Sequence, residues 1–325
     1  MNHSRIARGA VAAVAAFSIA ACGSSASDSD SASGPTISVE DNNGTHKVPS
    51  PPTSVVATDN RTFETLSDWG VELSAAAVAL MPSTIDYTKN KDIIDLGNHR
   101  EPDLEAVVQA KPDLIINGQR FADYADDFAK LAPKATLLNL DPREGQPFDQ
   151  ELKRQTSVLG QVFDKQAEAT ELNDALDASI KRVKDAYDPK QKVLAVTTSG
   201  GQIGYLAPTV GRTLGPVYDI LGLTPALKVD GASDDHEGAE ISVEAIAAAD
   251  PDWILVMDRD AAVAASEPGY KPAADILEGS QALKRVPAIK NKKLVYMPSD
   301  TYTNEGIQTY TEYFNALADA FEADK

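Results

Sequence analysis

Among 325 residues there is one cysteine, Cys22, so no disulfide can form within the chain. Histidine is almost as scarce. The four are scattered at positions 3, 46, 99 and 236, which leaves little for a zinc or manganese site needing three or four converging side-chain ligands. Basic residues are also short: 30 Lys and Arg stand against 49 Asp and Glu, a net charge of −19. That excludes a nucleic-acid partner, which needs a basic face, and any anion site must rely on local cations against this background. The G-x-S-x-G nucleophile motif, a phosphate loop and paired metal-ligand motifs are all missing. Beyond the first two dozen residues no apolar run is long enough to span a membrane.

The lone cysteine sits at an informative place. Arg5 and Arg8 precede an apolar stretch from Ala10 to Ala20, followed by Ile19-Ala20-Ala21-Cys22. This is the layout of a signal peptide over residues 1–22. The small residues before the cysteine resemble the bacterial lipobox, in which Cys22 would become the lipidated mature N-terminus; an ordinary signal peptide with a chance cysteine is the alternative. Residues 23–35, rich in Ser, Asp and Gly, read as a flexible tether. Without Arg5 and Arg8 the chain keeps 28 basic and 49 acidic residues, a charge of −21. The expectation is an extracytoplasmic protein, lipid-anchored to the cell membrane and otherwise soluble.

Two stretches are near copies. DLEAVVQAKPDLIINGQR runs from Asp103 to Arg120 and SVEAIAAADPDWILVMDR from Ser242 to Arg259. In each, an N-cap residue (Asp103 or Ser242) opens a short helix with a Glu in its first turn (Glu105 or Glu244). Pro112 or Pro251 stops the helix. An apolar run then reads as a buried parallel strand, and Arg120 or Arg259 follows it. Ligands of open α/β sheets sit outside the carboxyl ends of the strands. Each unit therefore aims one cation at a ligand crevice and holds one anion at a helix start, on a different surface. Two units predict two similar lobes facing one cleft.

The rest fits an α/β protein with two Rossmann-like lobes and mainly parallel sheets. A hairpin turning at Asn42-Asn43-Gly44 opens an N-terminal lobe, residues 36–147. Strands and helices then alternate, with a polar loop from Pro82 to Asp92. From Phe148 to Tyr187 no strand signal occurs, while apolar residues recur at helical spacing. Residues 148–188 are expected to form a helical linker, mostly one long helix, with a break or kink marked by Gly160 and Asp164. The C-terminal lobe, 189–325, carries Tyr205 on a return segment, the loop Gly211-Arg212-Thr213-Leu214-Gly215, a polar loop with His236, the second repeat unit, and a loop with Tyr302 before the last helix. His99, beside Arg100, is a weaker candidate for the cleft rim.

Together, the lipobox, the paired E-A-[VI]-x-x-x-x-P-D units, the long middle helix and the GRTLG loop resemble the class III substrate-binding proteins of ABC importers for ferric siderophores, haem and cobalamin. The resemblance covers roughly residues 36–323. It is finest to the catecholate-siderophore branch, through NRTFETLSDWGV and the segments around Arg120, Arg212, His236, Arg259 and Tyr302. It implies a cleft lined by Arg120, Arg212 and Arg259, with His236 and Tyr302 able to reach the iron of the bound complex. It also implies that Glu105 and Glu244 dock on the permease, one from each lobe. Tyr205 is a further cleft candidate. One departure stands out: the branch usually has Gly-Lys-Ser after the histidine, where this chain has Glu237-Gly238-Ala239, with Asp234 and Asp235 before it.

The chemistry is consistent with that reading. Fe(III) is hard and favours oxygen donors. A ferric tris-catecholate is a trianion of planar rings, which planar, permanently charged guanidiniums match well. The expected protein is a monomer and no enzyme. It carries no cofactor, and its ligand is an Fe(III)-siderophore complex. Haem, cobalamin or a hydroxamate complex are alternative cargoes for the same fold. A lipid-anchored ligand sensor without a permease, or an extracytoplasmic hydrolase, would be alternatives of another class.

Overall fold

The computed structural model describes residues 34–97, 100–229 and 235–325. Cys22, the leader and most of the tether, His99 and Asp234 lie outside the described residues.

The chain enters through a hairpin, β1 (Thr36–Asp41) and β2 (Gly44–Pro49), with Asp41 paired to Gly44 across the turn. The first sheet follows from β3 (Val55–Ala57), β4 (Ala75–Ala76), β5 (Ile94–Asp95), β6 (Leu114–Asn117) and β7 (Thr136–Asn139). Its order is β5-β4-β3-β6-β7, parallel throughout. β4 is only two residues long before the chain turns into a 3-10 helix, Val78–Leu80. The expected polar loop at 82–92 holds another 3-10 helix, Asp86–Lys89, and leads into β5.

The second sheet contains β8 (Lys192–Ser199), β9 (Gln202–Tyr205), β10 (Thr224–Pro225), β11 (Ala239–Glu240), β12 (Trp253–Asp258) and β13 (Leu294–Tyr296). Along β11-β9-β8-β12-β13 the sheet is antiparallel on the β9 side and parallel from β8 to β13, and β10 adds a parallel bridge to β8. Side chains alternate across a strand, and the packing follows. Val193, Ala195, Trp253, Leu255 and Met257 enter one core, while Leu194, Val196, Ile254 and Val256 enter another on the opposite face. Helices cover both faces, which is why these strands are continuous apolar runs.

Both repeat units form as their sequences dictate. The Asp103 carboxylate accepts from the Glu105 and Ala106 amides at 2.9 and 3.1 Å, opening the helix Leu104–Ala110. The Ser242 hydroxyl accepts from the Ala245 amide at 3.1 Å, opening Val243–Ala249. Left-handed residues, Lys111 (φ 47°) and Asp250 (φ 50°), end the helices just before the prolines. The aspartates after the prolines tie strand starts together. Asp113 accepts from the Thr53 and Ser54 amides (2.8 and 3.1 Å) ahead of β3, and Asp252 from the Lys192 amide (2.7 Å) at the head of β8.

The lobes are joined by the helix Phe148–Phe163. At its start Leu152 enters the second lobe's core, and Phe148 packs edge-on against Tyr310 at 5.1 Å. Near its end Val158, Leu159 and Val162 enter the first lobe's core. Asp164, left-handed at φ 57°, ends it. The longer helix Gln166–Ala186 then folds back, laying Leu176, Ile180 and Val183 into the core shared with Phe314, Leu317 and Phe321 of the last helix, Ile307–Ala323. Gly160 permits the close crossing: a Cβ there would meet Ala169 Cβ at 2.7 Å.

Candidate functional site

Arg120 and Arg259 lie just past β6 and β12, as the strand-end rule requires. The turn after β6 is fixed by Asp141, whose carboxylate accepts from the Gln119 amide at 2.8 and 3.0 Å. The turn after β12 is fixed by Asp258, which accepts from the Ala261 and Ala273 amides and from the Tyr270 hydroxyl, at 2.8 to 3.0 Å. Arg212 stands on a tight turn in which Gly211 N donates to Ala207 O at 2.8 Å, and Tyr310 donates to Thr213 O at 3.0 Å. Tyr302 sits in a 3-10 turn, Thr301–Thr303, ahead of the last helix.

These residues meet in one cavity of about 660 Å³. Its floor and walls carry Arg120, Arg212, Arg259, His236 and Tyr302, with Thr58, Asn60 and Thr303. Ala79, Leu80 and Met81 of the first lobe, and Ala262 and Val263 of the second, form apolar flanks. The three guanidiniums surround one ring. The Cζ atoms of Arg120, Arg212 and Arg259 are 5.8, 5.0 and 5.0 Å from the Tyr302 centroid, and Arg120 Nη2 donates to the phenol oxygen at 3.4 Å. Burial alone would raise the Tyr302 phenol. Arg120 and Arg259 at its hydroxyl and the charge of Arg212 outweigh burial and hold the phenol below the ordinary tyrosine range. The cluster thus favours a phenolate, a hard oxygen donor.

His236 is about half exposed, with Nδ1 3.4 Å from Asp235 and Nε2 4.0 Å from Glu237. Arg259 donates to Ser199 Oγ and to Asp260, both at 3.2 Å. Among the described residues no group of three or more His, Cys, Asp or Glu is placed to hold a bare metal ion.

Tyr205 is not in the cavity, and that expectation is corrected. It is 1% exposed in the core, and its hydroxyl donates to Leu227 O at 2.6 Å. On the antiparallel strand β9 its side chain joins the face shared with Leu194 and Val196. Glu105 and Glu244 are exposed and do not line the cavity. A helix that returns antiparallel to the strands begins where the strands finish, so both glutamates lie at the same ends of the sheets as the arginines, outside the cavity.

The sequence did not reveal the charges beneath. Glu305, 2% exposed, accepts from Thr213 Oγ1 and pairs with Arg212 Nη2 at 3.5 Å and with Arg61 Nη2 at 3.6 Å. Arg61 also reaches Asp141 at 3.3 Å. Asp59, fully buried, accepts from Gln155 Nε2 at 2.8 Å and from the Arg61 amide at 2.9 Å. Burial pushes the Asp59 carboxyl up to about 6, against the pull of Arg61 and with Asp141 adding to the rise. Arg61, Gln119 and Asp141 line an adjoining cavity of about 470 Å³ that shares Arg120 and Arg212 with the first.

Comparison with known proteins gives a consistent picture. The family profile described as periplasmic binding protein matches residues 55–301. Over 322 residues, 96% of this chain and 97% of the relative, the sequence is 28% identical to the petrobactin-binding protein YclQ of Bacillus subtilis. Over 270 residues, 82% of this chain and 81% of the relative, it is 27% identical to the ferric-anguibactin-binding protein FatB of Vibrio anguillarum. The crystal structure of the periplasmic catecholate-siderophore binding protein VctP from Vibrio cholerae matches with a TM-score of 0.75 at 23% identity, covering 88% of this chain and all of that one.

Proposed function

The chain belongs to the periplasmic binding protein family, and from that premise we propose that it captures a ferric siderophore of the catecholate class between its lobes and delivers it to an ABC permease. The carrying observation is the convergence of three arginines on Tyr302. Planar guanidiniums stack on planar anions and donate to their oxygens, and desolvation in a cleft strengthens both interactions. The phenolate-favouring Tyr302, with His236 at the rim, suits a complex whose siderophore leaves iron positions open. One imidazole and one phenol are too few to hold a bare metal ion, so iron enters already chelated. The relatives named for petrobactin and for ferric anguibactin support this class of cargo. The family is one of binding proteins, and no turnover is involved.

In this reading the lobes are residues 36–147 and 189–325, with 148–188 between them. The protein is a monomer held outside the cytoplasm by a lipid on Cys22, with residues 23–35 as tether. Glu105 and Glu244, exposed at the strand-finishing ends, contact the permease. The test is a set of single Arg→Met variants at Arg120, Arg212 and Arg259, titrated with a ferric catecholate. Each should weaken binding, and the loss should shrink as salt is raised. Unchanged affinity in all three would remove the arginine cleft as the binding site.

A further inference from the structure

The three arginines are not equivalent. Among the described residues Arg120 has no carboxylate within ion-pair distance, Arg259 pairs with its neighbour Asp260, which is exposed to 15%, and Arg212 pairs with Glu305, which is buried. Among the described residues Glu305 is the one carboxylate that touches a cavity arginine from beneath and is bonded to both lobes. Thr213 and Arg212 hold it from the second lobe, and Arg61 and Gln119 (Nε2 at 3.4 Å) from the first. It is 2% exposed. Gly306, its neighbour, lies so close to the first lobe that a Cβ would meet Arg61 O at 2.9 Å. Burial opposes its charge, yet Arg212, Arg61 and the Thr213 hydroxyl keep the carboxyl below its ordinary range, so the negative charge is permanent at neutral pH.

A carboxylate fixed between two guanidiniums does little for stability compared with an apolar filling. Its consequence is electrostatic. Arg212 turns its guanidinium face to Tyr302 inside the cavity and one nitrogen to Glu305 below it. Part of the cavity's positive charge is therefore cancelled from underneath, and Arg61 in turn shares Glu305 with Arg212.

We propose that Glu305 is a specificity-determining residue, buried beneath the cleft, that limits how much negative charge the bound ligand carries. The proposal rests on the ferric-siderophore reading and adds a rule to it. With Glu305 in place the cleft favours complexes of low negative charge, such as the monoanionic ferric bis-catecholates, over the trianionic tris-catecholates. Arg61 sets the strength of the effect, because the more of Glu305 it engages, the less remains to neutralise Arg212.

The test measures dissociation constants of the full-length chain for one ferric bis-catecholate and one ferric tris-catecholate, in wild type, Glu305→Gln and Glu305→Asp. Glu305→Gln should shift the ratio of the two constants about tenfold toward the tris-catecholate, the order expected for charges about 10 Å apart in a partly screened cleft. Glu305→Asp keeps the charge and should hold the ratio within about twofold. Should the glutamine variant not fold, Arg61→Gln, at a residue outside the main cavity's lining, should move the ratio the other way. Equal weakening of both ligands in Glu305→Gln, or a ratio unmoved in Arg61→Gln, would make Glu305 a purely structural residue and overturn the proposal. A wild-type chain that binds neither complex would instead overturn the siderophore reading itself, and the proposal with it.

Discussion

Tyr302 should ionise at lower pH than the tyrosines that burial raises, and removing its hydroxyl should remove that step. The chain has ten tyrosines. Burial pushes seven of them up: Tyr87, Tyr205, Tyr218, Tyr270, Tyr296, Tyr310 and Tyr313, of which Tyr205, Tyr270 and Tyr296 reach about 12. Tyr302 moves the other way because three guanidiniums lie within 5.8 Å of its ring centroid. Followed by tyrosinate absorbance near 295 nm, an alkaline titration should therefore show Tyr302 ionising in a step that precedes those of the seven raised tyrosines. Tyr302→Phe should delete that step and leave the rest of the curve in place. The ring and its stacking survive the substitution, so the cost in stability is about 1 kcal/mol or less. Arg259→Met, which removes a cation 5.0 Å from the ring, should move the step to higher pH without changing its amplitude. An early step of undiminished amplitude in Tyr302→Phe would refute the convergence of the arginines on this phenol.

Other consequences follow from the same geometry. Arg120→Met should weaken a ferric catecholate by about 10- to 100-fold, the worth of a charge-assisted contact of about 1.5–3 kcal/mol, as read by equilibrium titration. Gly118→Ala would place a Cβ 2.7 Å from Asp59 Oδ2 and 2.9 Å from Asp141 Oδ1, and should lower the urea midpoint by an amount equivalent to about 1–3 kcal/mol. Asp59, at about 6 in the folded chain against an ordinary 3.8, binds its proton more tightly when folded. Its contribution to stability is then complete below about pH 4 and lost as pH rises through about 6. Asp59→Asn should flatten that part of the stability curve in urea melts between these values. Glu105→Ala with Glu244→Ala should abolish uptake in cells while leaving ligand affinity unchanged; retained uptake would rule out their docking role.

What could be read from the sequence was what repeats or is local. The two E-A-[VI]-x-x-x-x-P-D units gave the N-caps at Asp103 and Ser242, two buried strands and an arginine at each strand end, because capping, proline and apolar runs act over a few residues. The joining helix was visible as a periodic stretch, but that its first half does the crossing depends on which core each turn meets. Leu152 and Val158 are six residues apart in sequence and lie in different lobes' cores. Strands of two residues, such as β4 and β11, carry no period to detect. Tyr205 misled because a return strand next to a glycine turn points to a crevice as readily as to a core, and only the register of β9 on β8 decides. The charged set Asp59, Arg61, Asp141 and Glu305 beneath the cleft was not legible. Its members come from three separate stretches, and a solvated charge reads the same in sequence as a buried one. The one usable signal was Gly118, where the backbone passes close to the carboxylates of Asp59 and Asp141.

The most direct check on the central claim is a fluorescence-quenching titration of the purified full-length chain with ferric mono-, bis- and tris-catecholates, a ferric hydroxamate, haem and cobalamin. Tight, saturable quenching by ferric catecholates alone, lost when Arg120, Arg212 and Arg259 are replaced together, is the expected result. Binding confined to haem, cobalamin or the hydroxamate, or catecholate binding that survives the triple replacement, would contradict it.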